Sequence, residues 1–295
     1  MPVYNGEQFI REALDSLLAQ TFTDFELIVS DNASTDRTEA ICEEYALREP
    51  RIRFVRQEKN LGALPNFQIC LDLAVGEYFI WTAADDSCKP NLIEALVAEL
   101  DADKNFVLVM PDEGIVAVDG TPLYRAEFEN IRMEDGKNSW DSVWPVFFQN
   151  PTAGMFYGIY GLFRTDVLRK VSLNYQNLVR FTWGWESPVI AQVASLGKVG
   201  SIPYDLKIFR KHDDSVSADE HKGMTFRQRI DNHFNRSACL FKIAIHSDMN
   251  RSAKVRALLA LARIRPKFLV KLFLLHPFRA WMQRMSDSRV ANTAE

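Results

Sequence analysis

Glu26-Leu27-Ile28-Val29-Ser30 followed by Asp31-Asn32-Ala33-Ser34-Thr35-Asp36 is the stretch on which the fold turns. Five residues dominated by Leu, Ile and Val read as a short buried strand, and the six polar residues after them form a turn. Asp36 is placed to cap a helix that carries Ile41, Cys42 and Tyr45, with Glu39 three residues on as its capping-box partner. Upstream, Phe9, Ile10, Ala13, Leu14, Leu17 and Leu18 recur at three-and-four spacing, the stripe of a helix packed on a sheet. Downstream the alternation continues: strand 51–56, helix 66–75, strand 78–82, helix 91–100, strand 106–110. Strands separated by helices of this length imply parallel β-α-β units, because a parallel neighbour requires a crossover. Such sheets bind ligands at the carboxyl ends of their strands. The acidic clusters at Asp31 and at Asp85-Asp86 both follow a strand, so they are expected on one rim of one sheet.

With 295 residues, 47% hydrophobic and 25% charged, the chain has the makeup of a globular protein, which excludes disorder and collagen-like repeats. Cys42, Cys70, Cys88 and Cys239 are far apart with no C-x-x-C pair, so neither a zinc knuckle nor a disulfide framework is indicated, and a reducing cytoplasm is expected. No basic-then-apolar leader opens the chain, and the apolar stretch 268–278 is broken by Lys271, His276 and Pro277, short of the roughly 20 residues a span needs. Charge is unevenly spread. Residues 251–295 hold ten Lys/Arg against Asp287 and Glu295, a net +8, and the total of −4 then leaves −12 on residues 1–250. That basic tail, interleaved with Leu, Ile, Phe and Trp281, reads either as an amphipathic helical element at an anionic membrane surface or as a helical subdomain packed on the body. The first reading places the protein peripherally on the inner face of the plasma membrane. No nucleic-acid partner is expected.

Asp85 and Asp86 close the apolar strand that begins at Tyr78. Hard divalent cations take oxygen ligands, and one or two carboxylates plus substrate phosphates complete the shell of Mg²⁺ in phosphate chemistry. An isolated Asp-Asp pair is more often a solvated turn. The surrounding pattern changes the reading, because it resembles the family 2 glycosyltransferases of the GT-A fold. Pro2-Val3-Tyr4-Asn5-Gly6 is similar to that family's first nucleotide-contacting loop, and Ser30 to Thr38 to its D-[DN]-x-S-x-D-x-T segment. Asn60-Leu61-Gly62, Asn66, Gly76-Glu77-Tyr78 and Asp85-Asp86 follow in the family's order and spacing, so the match covers residues 2–100 closely.

The resemblance implies a mostly parallel, Rossmann-like α/β sheet flanked by helices, with residues 1–110 as the nucleotide-sugar-binding half, 111–250 as the acceptor half, and 251–295 as the tail. It implies that Pro2 and Tyr4 line the nucleotide and that the Asp31 carboxylate accepts a ring N–H of the base, as uracil offers. Gly62 and Arg210 join the donor contacts, Asp85 meets the ribose or the metal shell, and Asp86 ligates the metal, Mn²⁺ or Mg²⁺. Trp183-Gly184-Trp185-Glu186-Ser187 resembles the family's G-x-[ED]-D region, which makes Glu186 the general base. Flanking tryptophans suit that role, since an apolar wall raises a carboxyl pKa. Phe209-Arg210-Lys211-His212-Asp213-Asp214-Ser215-Val216-Ser217 resembles [YF]-R-x-H-x-x-S-x-S, in which the histidine reaches the metal or the diphosphate. The activity so implied is inverting transfer from a nucleoside-diphosphate sugar, UDP-linked, to a glycan or lipid-linked acceptor hydroxyl in cell-surface polysaccharide assembly.

The chain departs from the pattern in two places. Ser187 stands where a second acid is usual, and Met1 lies directly before a loop that an apolar strand ordinarily precedes, so a start upstream of Met1 is expected. Both departures keep open a sugar-nucleotide-binding protein without catalysis. A sugar-nucleotide nucleotidyltransferase would need a Gly-rich, basic loop that Gly6-Glu7-Gln8 does not supply, and a dehydrogenase would need a G-x-G-x-x-G after a strand.

Overall fold

The computed structural model describes residues 1–128, 157–171 and 186–212, together with 239, 240, 242, 243, 245, 254 and 255. The chain divides into two compact units, Met1–Asp248 and Met249–Glu295. Of the second unit only Lys254 and Val255, both helical, are described, so the reading of the basic tail lies outside the described residues.

The first half follows the alternation seen in the sequence. Strands β1 (Pro2–Val3), β2 (Leu27–Asp31) and β3 (Ile52–Arg56) form a parallel sheet in the order β1-β2-β3. Pro2 sits opposite Ser30 and Val3 opposite Asp31, which brings the loop after β1 and the turn after β2 to the same edge. Helices α1 (Ile10–Leu18), α2 (Thr38–Arg48), α3 (Ala63–Leu73) and α4 (Leu92–Ala102) complete the α/β half. The apolar stripe of α1 is buried as its spacing requires: Ile10, Ala13, Leu14 and Leu17 meet Leu92, Leu96 and Leu100 of α4 and Leu27 and Val29 of β2 in one core. Helix α3 starts three residues earlier than its pattern indicated, because Pro65 falls in the first turn, where a missing N–H leaves nothing unpaired.

The second half differs from expectation. Strand β4 (Tyr78–Ile80) does not extend the parallel set. It pairs antiparallel with β8 (Leu162–Arg164) in a six-stranded mixed sheet of order β4-β8-β6-β9-β5, where β5 is Ser87–Cys88, β6 Phe106–Val116 and β9 Lys198–Arg210. Strand β7 (Pro122–Ala126) pairs with the far half of β6. Strand β6 runs six residues beyond its apolar stretch, since Pro111, Asp112 and Glu113 interrupt the hydrophobic pattern but stay buried in the sheet. Only β6 and β9 are parallel here, and their register shifts three times, between Phe106 and Leu108, between Pro111 and Asp112 and between Asp112 and Glu113. A 3₁₀ turn (Tyr157–Tyr160), helix α5 (Thr165–Leu168) and helix α6 (Glu186–Leu196) complete the described residues of this half.

Candidate active site

The loop after β1 and the turn after β2 are knitted together by side chains. The Asn5 side-chain oxygen accepts the Thr35 N–H at 2.8 Å, the Gly6 N–H donates to Thr38 Oγ1 at 2.8 Å, and the Glu7 N–H donates to Asp36 at 3.0 Å. Asn5 and Ala33 both hold positive φ (53° and 60°), a conformation that the surrounding hydrogen bonds must sustain. Asp36 lies one residue before Arg37, the N-cap of α2, and its carboxylate accepts the Thr38 N–H at 2.9 Å. Glu39 does not close a capping box and pairs instead with Arg56 at 3.2 Å.

Asp31 is fully buried, and its carboxylate is closed within the protein. Ser34 donates both its N–H and its hydroxyl to it, and Arg56 adds an ion pair. Asp31, expected to accept an N–H from the base, uses both oxygens to fix the shape of the turn. Tyr4, by contrast, stands about half exposed directly after β1, and Gly62 is the N-cap of α3, with φ 87°. Asn32 ties that start to the turn, donating to Asn60 Oδ1 at 2.9 Å and to the Gly62 carbonyl at 3.1 Å. Pro2 lies within β1, half-buried, opposite Ser30 of β2.

The turn after β4 is anchored by Trp81, which is fully buried against Phe67, Phe79 and Phe163 and donates its indole N–H to the Phe67 carbonyl at 3.1 Å. From that anchor Asp85 and Asp86 go opposite ways. Asp85 is partly exposed and lies 2.9 Å from His212 Nε2. Asp86 turns inward. Its Oδ1 accepts the Arg210 N–H at 3.0 Å, and its Oδ2 lies 3.1 Å from Lys207 Nζ, an ion pair with poor hydrogen-bond alignment. Asp86, expected to ligate the metal, has one oxygen bonded to the Arg210 N–H and the other facing the Lys207 ammonium. Asp85 is the carboxylate presented beside the histidine.

Asp85 and His212 suit a divalent cation by their chemistry. They offer one oxygen and one nitrogen donor, and two adjacent ligands at about 2.1 Å from an octahedral ion lie about 3 Å apart, as these two atoms do. No group of three or more His, Cys, Asp or Glu is arranged to hold a metal among the described residues, so water and donor phosphates would complete such a shell. The ring of His212 packs on Phe9 at 5.2 Å, and Ala84 approaches Gly6, so the loop after β1 borders this pair.

Arg210, expected among the donor contacts, braces the turn from within the protein as a strut. Its guanidinium donates to the Asp85 carbonyl at 3.2 Å, the Val118 carbonyl at 2.8 Å and Glu12 at 2.5 Å, with its plane 5.0 Å from Phe9. Arg210→Ala leaves two carbonyls short of a donor, and a loss of about 3 kcal/mol in unfolding free energy is expected from denaturant titration. A change below about 1 kcal/mol would contradict the strut.

Three residues with no signal in the sequence complete the interior of the site, Lys207, Glu113 and Tyr160, while Arg56 braces the Asp31 turn from an exposed position. Lys207 is 1% exposed and directly opposite Glu113 in the β6–β9 register, with its ammonium 3.4 Å from the centre of the Tyr160 ring. Burial pulls the Lys207 pKa down, but Asp86 and Glu113 together outweigh it and carry it above its ordinary value, so Lys207 stays charged. Burial pushes the Glu113 carboxyl up to about 8 against the pull of Lys207. Burial also raises the Tyr160 hydroxyl, and the charges of Asp86, Asp85, Glu186 and Glu113 all act on it in the same sense. Glu186 opens α6 with one carboxylate oxygen out of solvent contact. Trp183 and Trp185, expected as its walls, and the segment 213–217 lie outside the described residues.

The Glu113 pKa has a sign. A carboxyl that ionises near 4.5 unfolded but near 8 folded binds its proton more tightly in the native state, so its contribution is complete below pH 4.5 and is lost as pH rises to about 8. The wild type is expected to lose a few kcal/mol more stability than Glu113→Gln between pH 5 and 8, measured by denaturant titration at each pH. Parallel pH profiles for the two proteins would exclude a protonated Glu113.

A parallel strand-helix half carrying a polar turn, joined to a mixed sheet that delivers a carboxylate and a histidine beside it, is an α/β scaffold of the GT-A type. Among solved structures the fold is similar to residues 1–349 of S. aureus TarS in complex with UDP-GlcNAc, with a TM-score of 0.66, 17% identity, and 87% of this chain and 68% of that one covered. It is also similar to the mannosyltransferase PcManGT from Pyrobaculum calidifontis in complex with GDP-Man and Mn²⁺, with a TM-score of 0.56, 19% identity, and 99% and 73% covered. In sequence, an uncharacterized glycosyltransferase of Haemophilus influenzae is 38% identical over 73% of this chain and 65% of its own length. The glycosyltransferase GlyG of Streptococcus pneumoniae is 35% identical over 35% of each, so the matches span less than two thirds of these relatives. The family model described as Glycosyl transferase family 2 matches residues 1–171, more than half of the chain. The chain belongs to that family.

Proposed function

We propose that this protein transfers a sugar, with inversion, from a UDP-linked donor to an acceptor hydroxyl, and that a divalent cation held by Asp85 and His212 assists departure of the nucleoside diphosphate. The observation that carries the reading is the 2.9 Å approach of Asp85 and His212 at the border of the loop after β1. The solved neighbours bound to UDP-GlcNAc and to GDP-Man with Mn²⁺ support it at the level of donor class.

The roles follow from where the side chains stand. Tyr4, about half exposed at the end of β1, offers a ring face to the nucleoside, while Asp31 and Arg56 hold the neighbouring turn rigid. Asp85 and His212 would hold a divalent cation, which when bound would supply positive charge for the diphosphate leaving group. Glu186 takes the proton of the acceptor hydroxyl as that oxygen attacks the opposite face of the sugar, which inverts the anomeric centre. Asp86, Lys207 and Arg210 do not touch substrate in this scheme; they hold the turn that presents Asp85. A glycan or lipid-linked acceptor, in assembly of a cell-surface polysaccharide, is the acceptor class proposed.

A panel of nucleotide sugars tests the donor assignment. With Mn²⁺ present, UDP and a UDP-sugar are expected to raise the unfolding temperature by several degrees, and chelation is expected to remove most of that gain. Absence of a shift with every nucleotide would end the donor reading, and a shift indifferent to chelation would end the metal. For the tail, the net +8 of residues 251–295 supports a peripheral location at an anionic inner leaflet. The full chain should pellet with anionic vesicles and not with zwitterionic ones. Replacing Lys267, Lys271, Arg279 and Arg284 by Gln should abolish the difference, and equal pelleting would count against a membrane role.

A further inference from the structure

Lys207 is the most costly side chain in the described interior. Taking an ammonium out of water costs several kcal/mol after relaxation, and a buried ion pair is often no more stable than apolar residues of the same volume. Its place therefore calls for a reason other than stability. The register supplies one. Asp112 pairs with Asp205 but Glu113 with Lys207, so Leu206 is an extra residue in β9, and a one-residue bulge reverses the face of every residue after it. Leu206 and Lys207 are accordingly both buried, and Lys207 points in beneath the Asp85-Asp86 turn.

At that point three segments meet on one carboxylate. Lys207 Nζ is 3.1 Å from Asp86 Oδ2, and the Arg210 N–H donates to Asp86 Oδ1 at 3.0 Å. The Arg210 guanidinium then returns to the Asp85 carbonyl at 3.2 Å. Strand β5, which follows Asp86 directly, is paired with the same stretch of β9, Cys88 opposite Lys207 and Ser87 opposite Ile208. Asp86 thus clasps the turn to the end of β9, and His212, two residues beyond Arg210, arrives against Asp85 as a consequence. The Tyr160 ring face and Glu113 hold the ammonium from the other sides. Without the ammonium, Asp86 would keep only the Arg210 N–H, and the turn would lose one of its two ties to β9.

We propose that Lys207 is a positioning residue for the cation site: through Asp86 it locks the end of β9 to the Asp85-Asp86 turn and so sets how tightly the Asp85–His212 pair holds a divalent cation. The inference rests on the reading of that pair as cation-holding. Partners that orient metal ligands typically change metal affinity about 10–100-fold when removed.

Mn²⁺ binding to the full chain in the presence of UDP, followed by the electron paramagnetic resonance signal of free Mn²⁺, provides a readout that does not depend on turnover. Lys207→Met and Asp86→Asn are each expected to raise the Mn²⁺ Kd about tenfold. The double variant, which leaves no uncompensated charge and so guards against a failure to fold, is expected to show the same tenfold loss rather than a hundredfold one, because the two residues act as one clasp. Wild-type affinity in Lys207→Met, losses that multiply in the double variant, or a double variant that binds like the wild type would each overturn the proposal. A wild type that binds no Mn²⁺ while UDP binds would instead remove the cation reading, and the clasp with it.

Discussion

Glu186→Gln is expected to lower kcat for sugar transfer about 10³-fold while the Kd for UDP stays within about twofold of the wild type. The two measurements separate because the substitution is nearly isosteric and removes only the ability to take a proton. General-base assistance is worth about 10²–10⁴ in rate, and an attacking hydroxyl near neutral pH has little nucleophilicity without it. Glu186 is placed for this by its position at the start of α6, where the first-turn N–H groups favour a negative charge, and by an oxygen shielded from solvent. It also acts on the same Tyr160 hydroxyl as Asp85 and Asp86, which puts its carboxylate in the electrostatic surroundings of the turn. Donor hydrolysis sharpens the test: water is a poor substitute for a positioned acceptor, so residual UDP-sugar cleavage should fall by a smaller factor than transfer. If kcat falls less than tenfold, the base lies elsewhere, and the serine at position 187 would no longer be a departure of consequence.

The parts of this molecule that were legible before the coordinates are those where a local period or a local bond decides the outcome. The stripe of α1 and the buried run of β2 depend on neighbours within four residues, and each stands where its pattern put it. The mixed sheet was not legible for the opposite reason. Strand β4 finds its partner 82 to 86 residues away in β8, and β6 carries Pro111, Asp112 and Glu113 through its middle, so nothing in either segment announces the antiparallel pairing or the true length. The site shows the same division. That carboxylates gather after β4 was readable; which of two adjacent ones faces outward was not, because that is decided by Lys207 and by the Arg210 N–H at the far end of β9. Asp31 is the matching case. As an acid after a strand it invites assignment to a ligand, yet Ser34 three residues on and Arg56 on the next strand consume it. Lys207 itself carried no signal, since a lysine in a strand ordinarily marks a solvent-facing position, and only the bulge at Leu206 turns it inward.

The same geometry makes a sharp ranking among substitutions at the rim. Asp85→Ala and His212→Ala are each expected to reduce transfer about 10³-fold and to abolish measurable Mn²⁺ binding, and the double variant is expected to be no worse than either alone. Each deletion removes one of only two protein ligands available among the described residues, and a divalent ion left with one such ligand, water and phosphate has little reason to stay at that position. Groups that work as a unit show this saturation, whereas independent contributions to the barrier would multiply. Asp86→Asn discriminates between the two carboxylates. Its amide oxygen can still accept the Arg210 N–H, so the turn keeps one of its two inward bonds, and Mn²⁺ affinity falls in part rather than altogether. The order of severity is therefore Asp85→Ala well ahead of Asp86→Asn. The opposite order, with Asp86→Asn silencing Mn²⁺ binding and Asp85→Ala tolerated, would mean that Asp86 swings out of its pairing with Lys207 when donor and cation arrive. The energetic case against that swing is the stranded ammonium it would leave behind: separating the partners of a buried ion pair costs about 3–5 kcal/mol, a sum the cation would have to recover before it contributed anything to catalysis.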